Sequence, residues 1–163
     1  MEKNKEEKTN VMRVLEQKKI AYTAHTYPHE EGVAVDGVTV AQSMGFDPAA
    51  VFKTLVARGA SKQYYVFDVP VAENLDLKKA AKAVGEKSIE MIHQKELLPL
   101  TGYVHGGCSP VGMKKLFPTV FHSSAENLAA MIVSAGKIGY QVELAPHDLA
   151  ALVRAKFADI IVE

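Results

Sequence analysis

Apolar and polar residues alternate along this chain with two periods, and the changes between them mark out the elements. From Thr9 the spacing is helical: Val11, Met12, Leu15 and Ile20 fall on one side, while Arg13, Glu16, Gln17 and Lys18 lie elsewhere. Thr9 or Asn10 can cap that helix. Residues 21–27 are rich in β-formers and stop at Pro28, which predicts a strand, followed by a loop over 29–36. A short helix is expected over 38–44, closed by Gly45, and a single helical turn after Asp47-Pro48. Residues 52–58 and 63–69 are strongly apolar runs separated by Gly59-Ala60-Ser61-Lys62, which predicts a hairpin.

Asp76 caps an expected helix over 77–84, with Leu77, Ala80, Ala81 and Val84 inward and Gly85 as its stop. A strand over 88–91 and a helix over 93–98, ending before Pro99, come next. The glycine-rich stretch 101–112 then interrupts the pattern. Strands over 119–122, 130–134 and 140–144 alternate with a short helix over 124–128 and a glycine-bearing turn over 134–139. A helix over 146–155 and a last strand over 157–162 complete the chain. Many short strands without strict βαβ alternation predict a mixed α/β fold, with a curled mixed sheet or barrel-like core surrounded by helices.

Composition narrows the function classes. At 163 residues, with 48% hydrophobic and 23% charged residues, one core can serve the chain from residue 9 onward as a single domain. Residues 1–8 alternate charge with nothing to bury, and are expected to form a flexible leader. Nineteen basic residues balance nineteen acidic ones, so any contact with nucleic acid should neutralise only a few phosphates. No apolar run approaches the length of a membrane span, the start does not read as a signal peptide, and a single cysteine forms no pair, so a cytoplasmic location is expected.

Lys53 is the most informative position, a charge among Phe52, Thr54, Leu55, Val56 and Ala57. A fully buried lysine is costly. It either reaches solvent at the strand end, the commoner arrangement, or stands as a cation at the mouth of a pocket, aimed at a substrate carbonyl or phosphate. Gly106, Gly107 and Gly136 allow close backbone approach to a ligand, and their N–H groups could bind an anion, although a tight turn is the commoner explanation of each loop taken alone. Neither loop is a nucleotide motif: Met113 stands where a phosphate loop needs lysine, and Ile138 follows Gly136-Lys137. Cys108 has no recognisable framework of a nucleophile and reads as packing. His25 and His29 do not form metal spacing, HExxH is absent, and neither metal nor cofactor is expected.

The order of segments is more specific than any one motif. His25-Thr-Tyr-Pro-His29, Val51-Phe-Lys-Thr-Leu55, Leu75-Asp-Leu-Lys-Lys-Ala-Ala-Lys82, Gly106-Gly-Cys-Ser-Pro110, Val133-Ser-Ala-Gly-Lys137 and Lys156-Phe-Ala-Asp-Ile160 follow in turn. In this the chain resembles the YbaK/EbsC family of aminoacyl-tRNA deacylases. That family includes Cys-tRNA(Pro) deacylases and is related to the editing domain of bacterial prolyl-tRNA synthetases. The resemblance runs from about Thr9 to the end. It implies a free-standing editing enzyme that removes a wrongly attached amino acid, most simply Cys from tRNA(Pro) and also from tRNA(Cys), with prolyl-tRNA synthetase as a partner. It implies Lys53 as the catalytic residue and Tyr27, Thr54, Gly106, Gly107, Ser134, Gly136 and Gln141 as substrate-binding residues. Backbone N–H groups near Gly106 and Gly136 would then complete an electrostatic cradle around the ester, attacked by water or by the substrate's own thiol. Where many family members carry a basic residue and then an acid, this chain has Ile138 and Gln141, a change the EbsC-like branch shares. A neutral amide cannot balance an ammonium group as a carboxylate does. Two other readings stay open: a non-catalytic binding module of the same fold, and a hydrolase of small esters or nucleotides.

Overall fold

The computed structural model describes residues 8–163, so most of the expected leader lies outside the described residues; Lys8 pairs with Glu16 at 2.9 Å. Helix α1 (Asn10–Gln17) starts where Thr9 Oγ1 accepts a hydrogen bond from Met12 N, and buries Val11, Met12 and Leu15. Strand β1 (Thr23–Thr26) is shorter than expected, but Tyr27 N still donates to the Gly139 carbonyl. Helix α2 (Gly37–Met44) is capped by the Asp36 carboxylate and ends on Gly45 in the left-handed conformation. A 3₁₀ turn (Pro48–Ala50) leads into the hairpin of β2 (Phe52–Gly59) and β3 (Tyr64–Pro70), in the register Lys53 opposite Val69 and Thr54 opposite Asp68.

Helix α3 (Leu77–Val84) has Asp76 and Gly85 as its caps, as its sequence dictates. Strand β4 (Ile89–Met91) adds to the free edge of β2. Helix α4 (Gln94–Thr101) departs from expectation by running through Pro99. Proline's φ suits a helix, and the cost is a missing donor to the Lys95 carbonyl together with the crowding of that carbonyl by the ring. Neighbouring bonds hold the short helix at both ends: His93 N to Glu96 Oε2, Thr101 Oγ1 to the Leu97 carbonyl, and Gly102 N to the Leu98 carbonyl.

Strand β5 (Thr119–His122) lies parallel to β3, and β8 (Lys156–Ala158) lies parallel to β5, giving the five-stranded order β4-β2-β3-β5-β8. Between them run a 3₁₀ segment (Ser123–Asn127), β6 (Met131–Ser134), β7 (Tyr140–Leu144) and α5 (Pro146–Val153). Strands β1, β7 and β6 form a second, antiparallel sheet. The two sheets meet at a parallel bridge between Val51 and Ile132, so the curled core does not close into a barrel. The expected last strand ends early because the chain leaves the sheet after Ala158: Ile160 N donates to His122 Nδ1, and Ile161 bridges to Leu75.

The largest core cluster joins Val11 and Leu15 of α1, Phe52, Phe121, Met131, Val133, Val142 and Leu149 of α5. A second packs α3 through Ala80 and Ala81 on Phe67, Val69 and Val120. Burying these side chains is what drives both sheets to curl around the helices. Among the described residues, no helix is long and apolar enough to cross a membrane.

Candidate active site

A cavity of about 460 Å³ opens where the two sheets come together. The loop before α2, the start of β2, the loop after α4, the end of β6 and the start of β7 each contribute to its wall. The Val51–Ile132 bridge lies at this junction, which is why residues distant in sequence share one hollow.

Of the eight residues expected at a site, six line the cavity: Tyr27, Lys53, Thr54, Gly106, Ser134 and Gln141. Lys53 is partly buried and has no ion-pair partner among the described residues. Loss of solvation pushes its ammonium below the usual lysine range, while the charges of Asp36 and Glu73 act in the opposite sense. The Ser134 hydroxyl accepts from Gly136 N at 3.1 Å, which leaves its own hydrogen to offer to a ligand. Gln141 is 7% exposed, and its Oε1 has no hydrogen-bond partner among the described residues. An orphaned acceptor in a cavity wall is an invitation to a donor on a ligand.

Gly107 and Gly136 are not brought to the cavity. Gly107 N donates to the Val104 carbonyl, and a Cβ on Gly107 would come within 3.0 Å of Ile138 N. Gly136 sits at φ +95° against Tyr103 and Val11, and its N–H is taken by Ser134. Close packing against the backbone of Lys137 and Ile138 explains the glycine at 107, and packing against the Tyr103 and Val11 side chains explains the one at 136. Gly106 differs: at φ +90° it lines the hollow, and a Cβ there would lie 2.6 Å from Ala34 Cβ. Ile138 is buried beside Gly106 and Gly107 and does not line the cavity.

Two buried acidic groups behind Thr54 complete the electrostatics. Thr54 Oγ1 donates to Asp68 Oδ1 at 2.5 Å, and Asp68 Oδ2 is buried without a partner. Asp68 has no exposed surface, and this burial carries its carboxyl up to about 7. Cys108, also in the wall, has its thiol pushed up to about 12, first by burial and then by the charge of Asp68. The sulfur is therefore a thiol at neutral pH, the form that does not attack. Among the described residues, no three His, Cys, Asp or Glu side chains converge as a metal-binding group.

The model of the aminoacyl-tRNA editing domain family matches residues 32–152 of this chain, three quarters of its length and all but one of the six cavity residues above. The chain belongs to the aminoacyl-tRNA editing family. A protein of Enterococcus faecalis (strain ATCC 700802 / V583), EbsC, named as a candidate Cys-tRNA(Pro)/Cys-tRNA(Cys) deacylase, is 45% identical over 97% of this chain and 96% of its own. Among solved structures, a candidate trans-editing enzyme for prolyl-tRNA synthetase superposes with a TM-score of 0.79 at 25% identity, over 94% of this chain and 95% of the other. A hypothetical protein, APE2540, shares the fold with a TM-score of 0.82 at 18% identity, over 93% of this chain and 99% of its own. Within the editing family's matched span lie the two carboxyls that sequence reasoning passed over, Asp36 and Asp68. Asp68 carried the same signal as Lys53, a charge inside an apolar strand (YYVFDVP), and could have been found by it.

Proposed function

We propose that this chain is a free-standing cytoplasmic deacylase that clears a wrongly attached amino acid from tRNA, with cysteine on tRNA(Pro) as its main substrate. The likeness to the Enterococcus protein over nearly the whole chain supports the cysteinyl substrate, and residues 9–163 act as one domain. The observation that carries the reading is Lys53: a partly desolvated ammonium, without an ion pair among the described residues, in the wall of a 460 Å³ hollow. That volume is in the range that encloses a small ligand, here the aminoacyl group and the terminal nucleoside.

Lys53 supplies positive charge to the ester carbonyl oxygen as it becomes an oxyanion, in a site where little water screens it. The Ser134 hydroxyl and the backbone around Gly106 position the ester, and the Tyr27 ring borders the nucleoside. Gln141 Oε1 accepts from the substrate's ammonium group. Attack comes from the cysteinyl thiol, which closes on its own carbonyl and leaves a thiolactone, or from water, which leaves free cysteine. Tight positioning of either nucleophile supplies much of the rate. Prolyl-tRNA synthetase serves as the partner that selects the tRNA, since a neutral protein gripping only the acceptor end has little hold on the rest.

The test is single-turnover deacylation of Cys-, Ala- and Pro-tRNA with identification of the product. Cys-tRNA(Pro) is expected to react fastest. Lys53→Ala should lose about 2–4 kcal/mol of transition-state stabilisation, roughly 30- to 1,000-fold in rate. Full activity of that variant would remove the basis of the site.

A further inference from the structure

Asp68 is the buried group whose presence the site described so far does not explain. It lies on β3 directly opposite Thr54 on β2, fully enclosed, with one carboxylate oxygen bonded to the Thr54 hydroxyl and the other bonded to nothing among the described residues. A buried carboxyl held by a single partner is expensive, and an apolar side chain in its place would pack more cheaply. Its one partner, Thr54, lines the cavity beside Lys53, so the carboxyl is one hydroxyl away from a bound ester. Around it, β2 presents Thr54, β5 presents Phe121 in register, and the loop after α4 presents the Cys108 thiol; its neighbours on β3 are Phe67 and Val69. Among the described residues no cation faces it, so nothing holds the carboxyl permanently ionised.

We propose that Asp68 is a positioning residue for the deacylation reaction, accepting the attacking group's proton through the Thr54 hydroxyl. With Asp68 ionised, Thr54 gives its hydrogen to Asp68 Oδ1 and turns its oxygen lone pairs to the cavity. As the nucleophile's electron pair forms the bond to the carbonyl carbon, its proton passes to Thr54 Oγ1, and the Thr54 hydrogen passes to Asp68. When the tetrahedral intermediate collapses, the bond from carbon to the ribose oxygen breaks and the pair stays on that oxygen. The proton on Asp68 returns through Thr54 to it, which regenerates the carboxylate. The same relay serves water or a substrate thiol. A carboxyl carried by burial to about 7 suits the work, since a proton acceptor functions best when it titrates near the working pH.

This inference rests on the deacylase reading, and one set of pH profiles separates the two. Single-turnover rates on Cys-tRNA(Pro) in the wild type should climb with pH and level off near pH 7 as Asp68 ionises. Asp68→Asn and Thr54→Val should each fall by at least about 100-fold at pH 8 and lose the levelling, while Thr54→Ser keeps it. The Asp68 side-chain carboxyl, followed by ¹³C NMR in the wild type, should titrate near 7 whether or not a substrate is turned over. Titration in the ordinary carboxylate range overturns the proposal, as does an Asp68→Asn or Thr54→Val protein that keeps the wild-type rate and break. If Asp68→Asn does not fold, Thr54→Val and the NMR titration decide. Lys53→Ala should lower the rate without moving the break. A fully active Lys53→Ala with the break intact would sink the Lys53 assignment and leave Asp68 standing.

Discussion

At the scale of single residues, Asp68 trades stability for chemistry. Its carboxyl ordinarily titrates at 3.8 and is carried to about 7 in the folded chain. Between those values the native state holds a proton that the unfolded chain has released, so stability falls as pH rises from about 4 to about 7 and stays reduced above. The full loss is roughly 4 kcal/mol. Asp68→Asn should therefore unfold at higher denaturant concentration than the wild type at pH 8, with the gap closing toward pH 4; a gap independent of pH would refute the linkage. Cys108 is the contrasting case. Its thiol is pushed up to about 12 and supplies no thiolate, so Cys108→Ala should keep most of the deacylation rate. Lys53 was legible from sequence as a charge in an apolar strand, and Asp68 was equally so. Which of two glycines faces the cavity was not: Gly106 and Gly136 have similar backbone conformations, and only the neighbours that tertiary packing brings, Ala34 against Gly106 and Tyr103 against Gly136, separate them.

Elements built from local signals are where they were expected. Asp47 and Asp76 cap what they precede, Gly45 and Gly85 end what they follow, and the β2–β3 hairpin spans the two apolar runs. The departures need partners far away in sequence. Strand β8 stops at Ala158 because His122 and Leu75 take the following residues, and no local pattern announces either contact. The loop carrying Gly106 is an element-scale test of the site. With φ at +90° and Ala34 Cβ 2.6 Å from where a Cβ would stand, Gly106→Ala must shift two walls of the cavity at once. A stability cost of about 1–3 kcal/mol is expected, with a fall in deacylation larger than the loss of folded protein explains. Denaturant melts paired with single-turnover rates check both; an unchanged rate per folded molecule would place the loop outside the site.

For the whole molecule, nineteen positive and nineteen negative side chains leave no net charge to draw in a polyanion. Binding of an aminoacyl-tRNA should accordingly depend weakly on salt, with a slope of log affinity against log salt concentration of about −1 to −3, reflecting one to three neutralised phosphates. Filter binding between 50 and 200 mM salt (roughly the range in which multi-phosphate grips collapse) measures it. A slope steeper than that would mean the grip extends well beyond the acceptor end.

Strand β1, near the start of the chain, finds its only strand partner among the described residues in β7, with Thr26 beside Tyr140. A polypeptide still emerging from the ribosome thus has Tyr27 and Lys53 long before it has Ser134 and Gln141. The hollow comes into being only when the last third of the protein has been made, and no amino-terminal fragment ending before Tyr140 should discharge a tRNA.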